Sequence, residues 1–166
     1  MINKLHYSWQ QVEGACLHLA RQISLDNWKP DYIVGITRGG AIPAVLLSQY
    51  MDVPMKPLHV SLRDNKDTVS DCSMAEDAFE GKKILIVDDI NDQGNTIAWI
   101  KKDWQASALP GHPNWQNIWG DSVRFAVITD NMSSNETVDY LVYEIDKSEN
   151  DIWIVYPWED YWLCQS

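Results

Sequence analysis

Three stretches of the chain are continuously apolar and rich in β-branched residues: Tyr32 to Ile36, Ile84 to Val87 and Val123 to Ile128. An unbroken apolar run, unlike an alternating one, predicts a strand covered on both faces, as in a parallel sheet. Pro57 to Ser61 and Val138 to Tyr143 are weaker strand candidates. Between these runs the spacing changes. Val12, Cys16, Leu19 and Ile23 fall on one face of a helix, and so do Ile97, Ile100, Trp104 and Ala108. Ala41 to Tyr50 forms a third helical segment, opened by Gly39-Gly40 and carrying Pro43 in its first turn, where proline is tolerated. Glu80-Gly81 and Leu109 to Pro113 read as loops. Residues 63–78 are polar enough to predict a long mobile loop, a length often used as a functional lid.

Strand, loop and helix in alternation predict an α/β fold, doubly wound, with a mainly parallel central sheet flanked by helices. A length of 166 residues fits one domain, 1–166.

Charge narrows the partners. The formal net charge is -11, which offers no electrostatic footprint for nucleic acid and would repel an anionic membrane surface. An anionic substrate therefore needs a local device: a metal ion, an arginine or the N–H groups at a helix start. Cys16, Cys72 and Cys164 are too few and too widely spaced for a disulfide framework or a zinc site, and His6, His18, His59 and His112 show no ligand spacing. No basic-then-apolar leader and no membrane-length apolar run is visible, so a reduced, cytoplasmic protein is expected. The glycosylation patterns at Asn131 and Asn135 are read as chance. Nine tryptophans stand against two phenylalanines. Trp104 belongs to an apolar helix face, while Trp99, Trp115 and Trp119 are candidates for covering a loop or a subunit contact.

Candidate chemistry gathers where an apolar run ends. After Ile84 to Val87 come Asp88, Asp89, Ile90, Asn91, Asp92, Gln93, Gly94, Asn95 and Thr96, the last three opening the next helix. In open α/β sheets ligands bind at the carboxyl ends of strands, and a helix start favours an anion. Three carboxylates beside such a start suit a ligand that presents hydroxyls, a hydrated cation and a phosphate together. A ribose 5-phosphate activated at C1 meets that description. Asp88 and Asp89 would hold the ribose hydroxyls directly or through Mg2+ and its waters, Gln93 to Thr96 would cradle the 5-phosphate, and Asp92 would face the reacting end.

This segment resembles the phosphoribosyl pyrophosphate (PRPP) signature of type I phosphoribosyltransferases: four apolar residues, two acids, a short loop, then Gly-x-Thr. Gln93 departs from it, standing where the family usually has Thr or Ser. Upstream, Ile33 to Pro43 is another strand, glycine loop and helix start. It resembles the family's pyrophosphate-binding loop, with Thr37, Arg38 and Gly39 as ligands and an unusual peptide before the arginine. The order Trp-Ile-x-x-Pro-Trp-acid in Trp153 to Glu159 resembles the hood of bacterial xanthine–guanine phosphoribosyltransferases. By that resemblance the core covers about 1–145 and a small C-terminal hood about 146–166. Trp153 would stack on the purine, main-chain groups near Ile154 and Glu159 would read its edge, and Glu159 would join Asp88 and Asp89 as a Mg2+ ligand. The 6-oxopurine enzymes also place a lysine just after the strand that precedes the hood. None is present in Ile128 to Met132, where Asn131 stands nearest as a base-binding donor.

The resemblance implies transfer of the phosphoribosyl group from PRPP to a nitrogenous base, most simply a 6-oxopurine, with release of pyrophosphate. Asp92 would be the general base, Arg38 and Mg2+ would clamp the leaving group, and Arg63 or Lys66 would reach inward from the 63–78 loop. The partners are the two small substrates, with a homodimer as the family expectation. The competing readings are a non-catalytic PRPP or nucleotide sensor of the same fold, and a transferase for adenine or a pyrimidine. A receiver domain also carries an acidic pair, but beside its first strand.

Overall fold

A computed structural model describes residues 2–62 and 71–159. Arg63 and Lys66 lie outside the described residues, as do Cys164 and the end of the hood from Asp160 onward.

The chain opens with β1 (Asn3–His6) and α1 (Trp9–Leu25). Ser8 starts that helix with a capping box: its hydroxyl accepts the Gln11 N–H at 3.1 Å, and the Gln11 side chain accepts the Ser8 N–H at 2.8 Å. Then follow β2 (Tyr32–Thr37), α2 (Ala41–Met51), β3 (Met55–His59), α3 (Cys72–Phe79), β4 (Ile84–Asn91), α4 (Asn95–Ser107) and a short 3-10 turn (Pro113–Asn117). The closing strands are β5 (Val123–Asn131), β6 (Tyr143–Ile145) and β7 (Ile152–Val155).

Five strands form one parallel sheet in the order β3-β2-β4-β5-β6. Along β2 and β4 successive side chains alternate between two helical layers. Ile33, Leu85 and Val87 pack with Leu19, Ile23 and Leu47 of α1 and α2. Val34, Ile84 and Ile86 pack with Met74, Ala78, Ile97, Ile100 and Trp104 of α3 and α4. Both faces are covered, so the strands are apolar throughout, as expected. The chain steps outward from β2 to β3, then crosses back to β4 and continues to β5. The order therefore reverses between β2 and β4, the crevice in which such sheets bind ligands.

Three expectations change. The segment expected as loop over 63–78 is helical from Cys72. The Asp71 carboxylate accepts the Met74 N–H at 3.1 Å as an N-cap, and Met74, Ala75 and Ala78 supply a buried face. Polar residues that read as loop are the cap of a short amphipathic helix. The strand expected over Val138 to Tyr143 lies at Tyr143–Ile145, beside the far end of β5. Its expected centre, Tyr140, makes only an isolated parallel bridge to Ala126 of β5 and is further pinned by side-chain bonds, accepting from Arg124 and donating to Asp26, each at 2.8 Å. Finally, the hood is not built by the C-terminal segment alone. β7 pairs in parallel with β1, matching Lys4 with Trp153 and Leu5 with Ile154, so the N-terminal strand belongs with the hood rather than with the core.

Several extra tryptophans are interior. Trp104 and Trp115 are fully buried. Trp119 stacks between Trp115 and Phe125, with ring centres 5.7 and 6.2 Å away, and Trp115 donates its indole N–H to the Ala108 carbonyl at 2.9 Å. They seal the α3–α4 face against the sheet instead of awaiting a partner. Trp104→Ala is expected to cost about 3–5 kcal/mol by cavity formation, read from chemical denaturation. A loss below about 1 kcal/mol would show that this face packs loosely.

Candidate active site

β4 passes from its buried run, Ile84 to Val87, into two half-buried acids at the switch point. Asp88 accepts the N–H of Asp89 at 2.9 Å, and Asp89 accepts the N–H of Ile90 at 2.8 Å. Burial, followed by the neighbouring Asp89 charge, holds the Asp88 carboxyl well above the ordinary carboxylate range. Burial also raises Asp89, against the hydrogen bonds that its carboxylate accepts. Among the described residues neither acid has a Lys or Arg partner. Two adjacent acids without a counter-charge make a place that attracts cations and hydroxyl donors.

The loop after β2 closes over this pair. A Cβ at Gly39 would collide with the Asp89 carboxylate, and one at Gly40 with the Val87 carbonyl. These glycines are required for a backbone approach that any side chain would block. The peptide between Thr37 and Arg38 is cis, where the family resemblance places an unusual peptide. Arg38 is exposed at the rim, and the Thr37 hydroxyl lies 3.1 Å from His59 Nδ1.

On the other side, α4 begins after Gly94, which has φ +89 and gives the helix no side-chain cap. The N–H groups of this first turn are thus left for an anion. Gln93 accepts from the Asn95 amide at 3.3 Å. The loop is braced from behind by Asn91, which is almost completely buried. The Asn91 amide donates to Asp130 and to the Glu136 carbonyl, both at 2.8 Å, and accepts from Ser134 at 3.0 Å. Sequence reasoning passed over Asn91. Its signal was a polar residue inside the signature at a position that alternation turns inward.

Asp88, Asp89, Asp92, Gly94, Thr96 and Trp153 line a common cavity of about 620 Å³, a size that suits a small substrate. The acidic pair, the start of α4 and Trp153 therefore share one crevice, with Arg38 on the loop packed against the acids, whereas Asn131, Ile154 and Glu159 do not line it. Trp153, on β7, is 46% exposed, so one face of its ring is available, whereas the Ile154 side chain is buried in the hood core. Glu159 Oε2 accepts the Tyr156 N–H at 3.0 Å, shaping the turn after β7. Tyr156 fixes the hood to the sheet, its hydroxyl bonding to the Asp89 carbonyl at 2.9 Å and to Thr129 at 3.0 Å.

Asn131 has a different task from the one expected. It is buried, donates its amide N–H to the Asp92 carbonyl at 2.8 Å, and accepts from Ser133 and from the Lys147 N–H at 3.0 Å. Its carbonyl oxygen and one amide N–H are thus engaged in holding Asp92, Ser133 and Lys147 in place. Asp92 divides its carboxylate. Oδ2 pairs with Lys147 Nζ at 3.0 Å, while Oδ1 is buried with no hydrogen-bond partner among the described residues. Lys147 was not foreseen, because it lies far from the acidic signature in the sequence.

Over residues 6–162 the chain matches the model of the phosphoribosyl transferase domain. The chain belongs to that family. It is 27% identical over 160 residues to a xanthine-guanine phosphoribosyltransferase of Idiomarina loihiensis, covering 92% of this chain and 84% of the relative. A hypoxanthine-guanine phosphoribosyltransferase of Schizosaccharomyces pombe is 25% identical over 187 residues, covering 94% and 89%. Among solved structures, a purine phosphoribosyltransferase from Pyrococcus horikoshii superposes with a TM-score of 0.68 at 26% identity, covering 95% of both chains. Membership gives the acidic strand end and its helix start a common family setting, and the fold agrees with the α/β expectation. No helix among the described residues is long and apolar enough to cross a membrane.

Raised carboxyl groups have a thermodynamic signature. The folded chain keeps the Asp88 proton to higher pH than the unfolded chain, so stability is lost as pH rises from about 4 toward the raised value. Without metal, Asp88→Asn should melt above the parent at pH 7, by about 2–4 °C for each kcal/mol relieved, and close to it at pH 4. A parent that melts higher at pH 7 would show that the acidic pair is compensated within the fold.

Proposed function

We propose that this chain transfers the 5-phosphoribosyl group of PRPP to a 6-oxopurine, releasing pyrophosphate. The observation that carries the reading is the crevice itself. An uncompensated acidic pair, an uncapped helix start and Asp92 line one cavity at the switch point. The choice of a 6-oxopurine is supported by the xanthine-guanine and hypoxanthine-guanine enzymes among the relatives.

In this reading the α4 start, with Gln93, Gly94, Asn95 and Thr96, takes the 5-phosphate through backbone N–H groups and the threonine hydroxyl. Asp88 and Asp89 hold the ribose hydroxyls. Thr37, Arg38 and Gly39 take the pyrophosphate, whose growing charge Arg38 balances as the bond to C1 lengthens. The ring of the base rests on Trp153. As its nitrogen bonds to C1, the ring N–H proton passes to the Asp92 carboxylate.

The acidic pair also fits Mg2+. Among the described residues no three His, Cys, Asp or Glu side chains gather into a metal site, so the ion would rest on Asp88, Asp89 and substrate oxygens, as Mg2+ commonly does. Bound there, Mg2+ would neutralise pyrophosphate charge. A homodimer in the cytoplasm completes the proposal, in keeping with a metabolic enzyme of this family.

Incubation with PRPP, Mg2+ and a panel of bases should release pyrophosphate with hypoxanthine, guanine or xanthine, and chelation should stop it. PRPP binding without turnover on any base would turn the reading into a sensor. Asp92→Asn should lower kcat by about 10²–10⁴-fold with PRPP affinity nearly unchanged, by steady-state kinetics and calorimetry. Near-normal turnover would remove Asp92 from proton transfer.

A further inference from the structure

Behind the acidic strand end runs a chain of three buried hydroxyls. The Tyr156 phenol oxygen lies 2.9 Å from the Asp89 carbonyl oxygen and 3.0 Å from Thr129 Oγ1, and Thr129 Oγ1 lies 3.3 Å from the Tyr7 phenol oxygen. Thr129 is completely buried, while Tyr156 and Tyr7 are 2% and 7% exposed. Val12, Ile128 and Ile154 share the cluster that holds both tyrosines, so the setting is apolar. Each hydroxyl has a single proton, which fixes the order of the chain. A carbonyl oxygen only accepts, so Tyr156 donates to Asp89. The phenol oxygen then accepts from Thr129, and Thr129 accepts from Tyr7. This is the one direction that satisfies the Asp89 carbonyl and every link behind it.

Such a chain adds little net stability, because each bond replaces one to water and apolar groups of the same shape would pack there about as well. The Tyr156 ring already stacks on Trp158, with centres 4.9 Å apart, a contact that a phenylalanine would keep. A fully satisfied buried chain instead specifies one arrangement. Here the arrangement joins unequal partners. Asp89 and Thr129 belong to β4 and β5, neighbours within the five-stranded sheet. Tyr156 directly follows β7 of the two-stranded ribbon, three residues after Trp153, which lines one cavity with Asp88 and Asp89. The sheet is the fixed side and the ribbon the movable one. A bond at Tyr156 therefore registers the ribbon, and the indole on it, against the acidic strand end.

We propose that Tyr156 is a positioning residue for the base: its hydroxyl, bound to the Asp89 carbonyl and backed by Thr129 and Tyr7, sets where Trp153 stands in the crevice. The proposal rests on the phosphoribosyl-transfer reading and deepens it at the Trp153 end. Loss of the hydroxyl leaves the sheet, and with it the acids and the start of α4, where they are. The cost falls on the ring that Trp153 receives.

The test uses the full chain and compares the parent with Tyr156→Phe, Thr129→Val and Thr129→Ser. Tyr156→Phe should raise KM for hypoxanthine and guanine by about 3- to 10-fold and leave KM for PRPP within about twofold. Amide hydrogen exchange should quicken in β1 and β7 while β4 and β5 keep the parent rates. Thr129→Val, which cuts the chain behind Tyr156, should raise the base KM in the same sense, and Thr129→Ser, which keeps the hydroxyl, should restore it. An unchanged base KM in Tyr156→Phe, or equal rises in KM for base and PRPP, would overturn the proposal. Should Tyr156→Phe fail to fold, the Thr129 pair decides, and equal base KM in its two variants would overturn it. A parent inactive on every base overturns the transfer reading. GMP binding that Tyr156→Phe weakens at unchanged pyrophosphate binding would then still uphold the positioning role, and GMP binding that is absent or unweakened would overturn that role as well.

Discussion

Two carboxylates at the end of a strand buried on both faces would ordinarily be a fault. Desolvation disfavours the charge on Asp88 and Asp89, and each opposes ionisation of the other, with no lysine or arginine of the described residues to relieve them. The surrounding architecture is arranged around that cost. The chain is drawn back at the β2–β4 switch point, so the acids open into a crevice rather than a core. Gly39 and Gly40 bring the preceding loop against them by omitting side chains. The uncapped start of α4 supplies positive potential beside them. What remains uncompensated is the share of the charge that a ligand must neutralise, so binding energy is stored as electrostatic frustration in the empty fold.

Rigidity at this site comes from amides rather than from ions. Asn91 ties the end of β4 to Asp130, Ser134 and Glu136, and Asn131 ties Asp92 to Lys147. Both side chains are buried and both bridge the loop after β4 to the turn after β5. A neutral amide can donate and accept in one plane without adding charge to a protein that already carries a net -11. Polar order is thus achieved without worsening the field that an anionic substrate must enter.

Much of this was legible in the residues. Continuous apolar runs gave the central strands because a parallel sheet hides both faces; the acidic pair and Gly-Asn-Thr marked the crevice by local chemistry, and the glycine loop by its resemblance to the family's. The losses were of one physical kind. α3 was hidden because its cap residues, Asp71 and Ser73, look like loop when the buried spacing of Met74, Ala75 and Ala78 is short. β1 was hidden because Asn3, Lys4 and His6 are polar and the strand is exposed along its length. Lys147 was hidden because its approach to Asp92 depends on a loop conformation, and loop conformation is set by contacts distant in sequence.

The pairing of β1 with β7 also sets a difference in durability between the two halves of the crevice. The end with Asp88, Asp89 and the start of α4 stands on the five-stranded sheet and its two helical layers. The Trp153 end stands on a two-stranded ribbon drawn from β1 and β7, anchored through Tyr7, Thr129 and Tyr156. A ribbon of that size opens at a small fraction of the free energy needed to unfold the sheet. Local fraying can move Trp153 while the acidic pair and the start of α4 stay in place, so the two ends of one cavity can open on separate clocks.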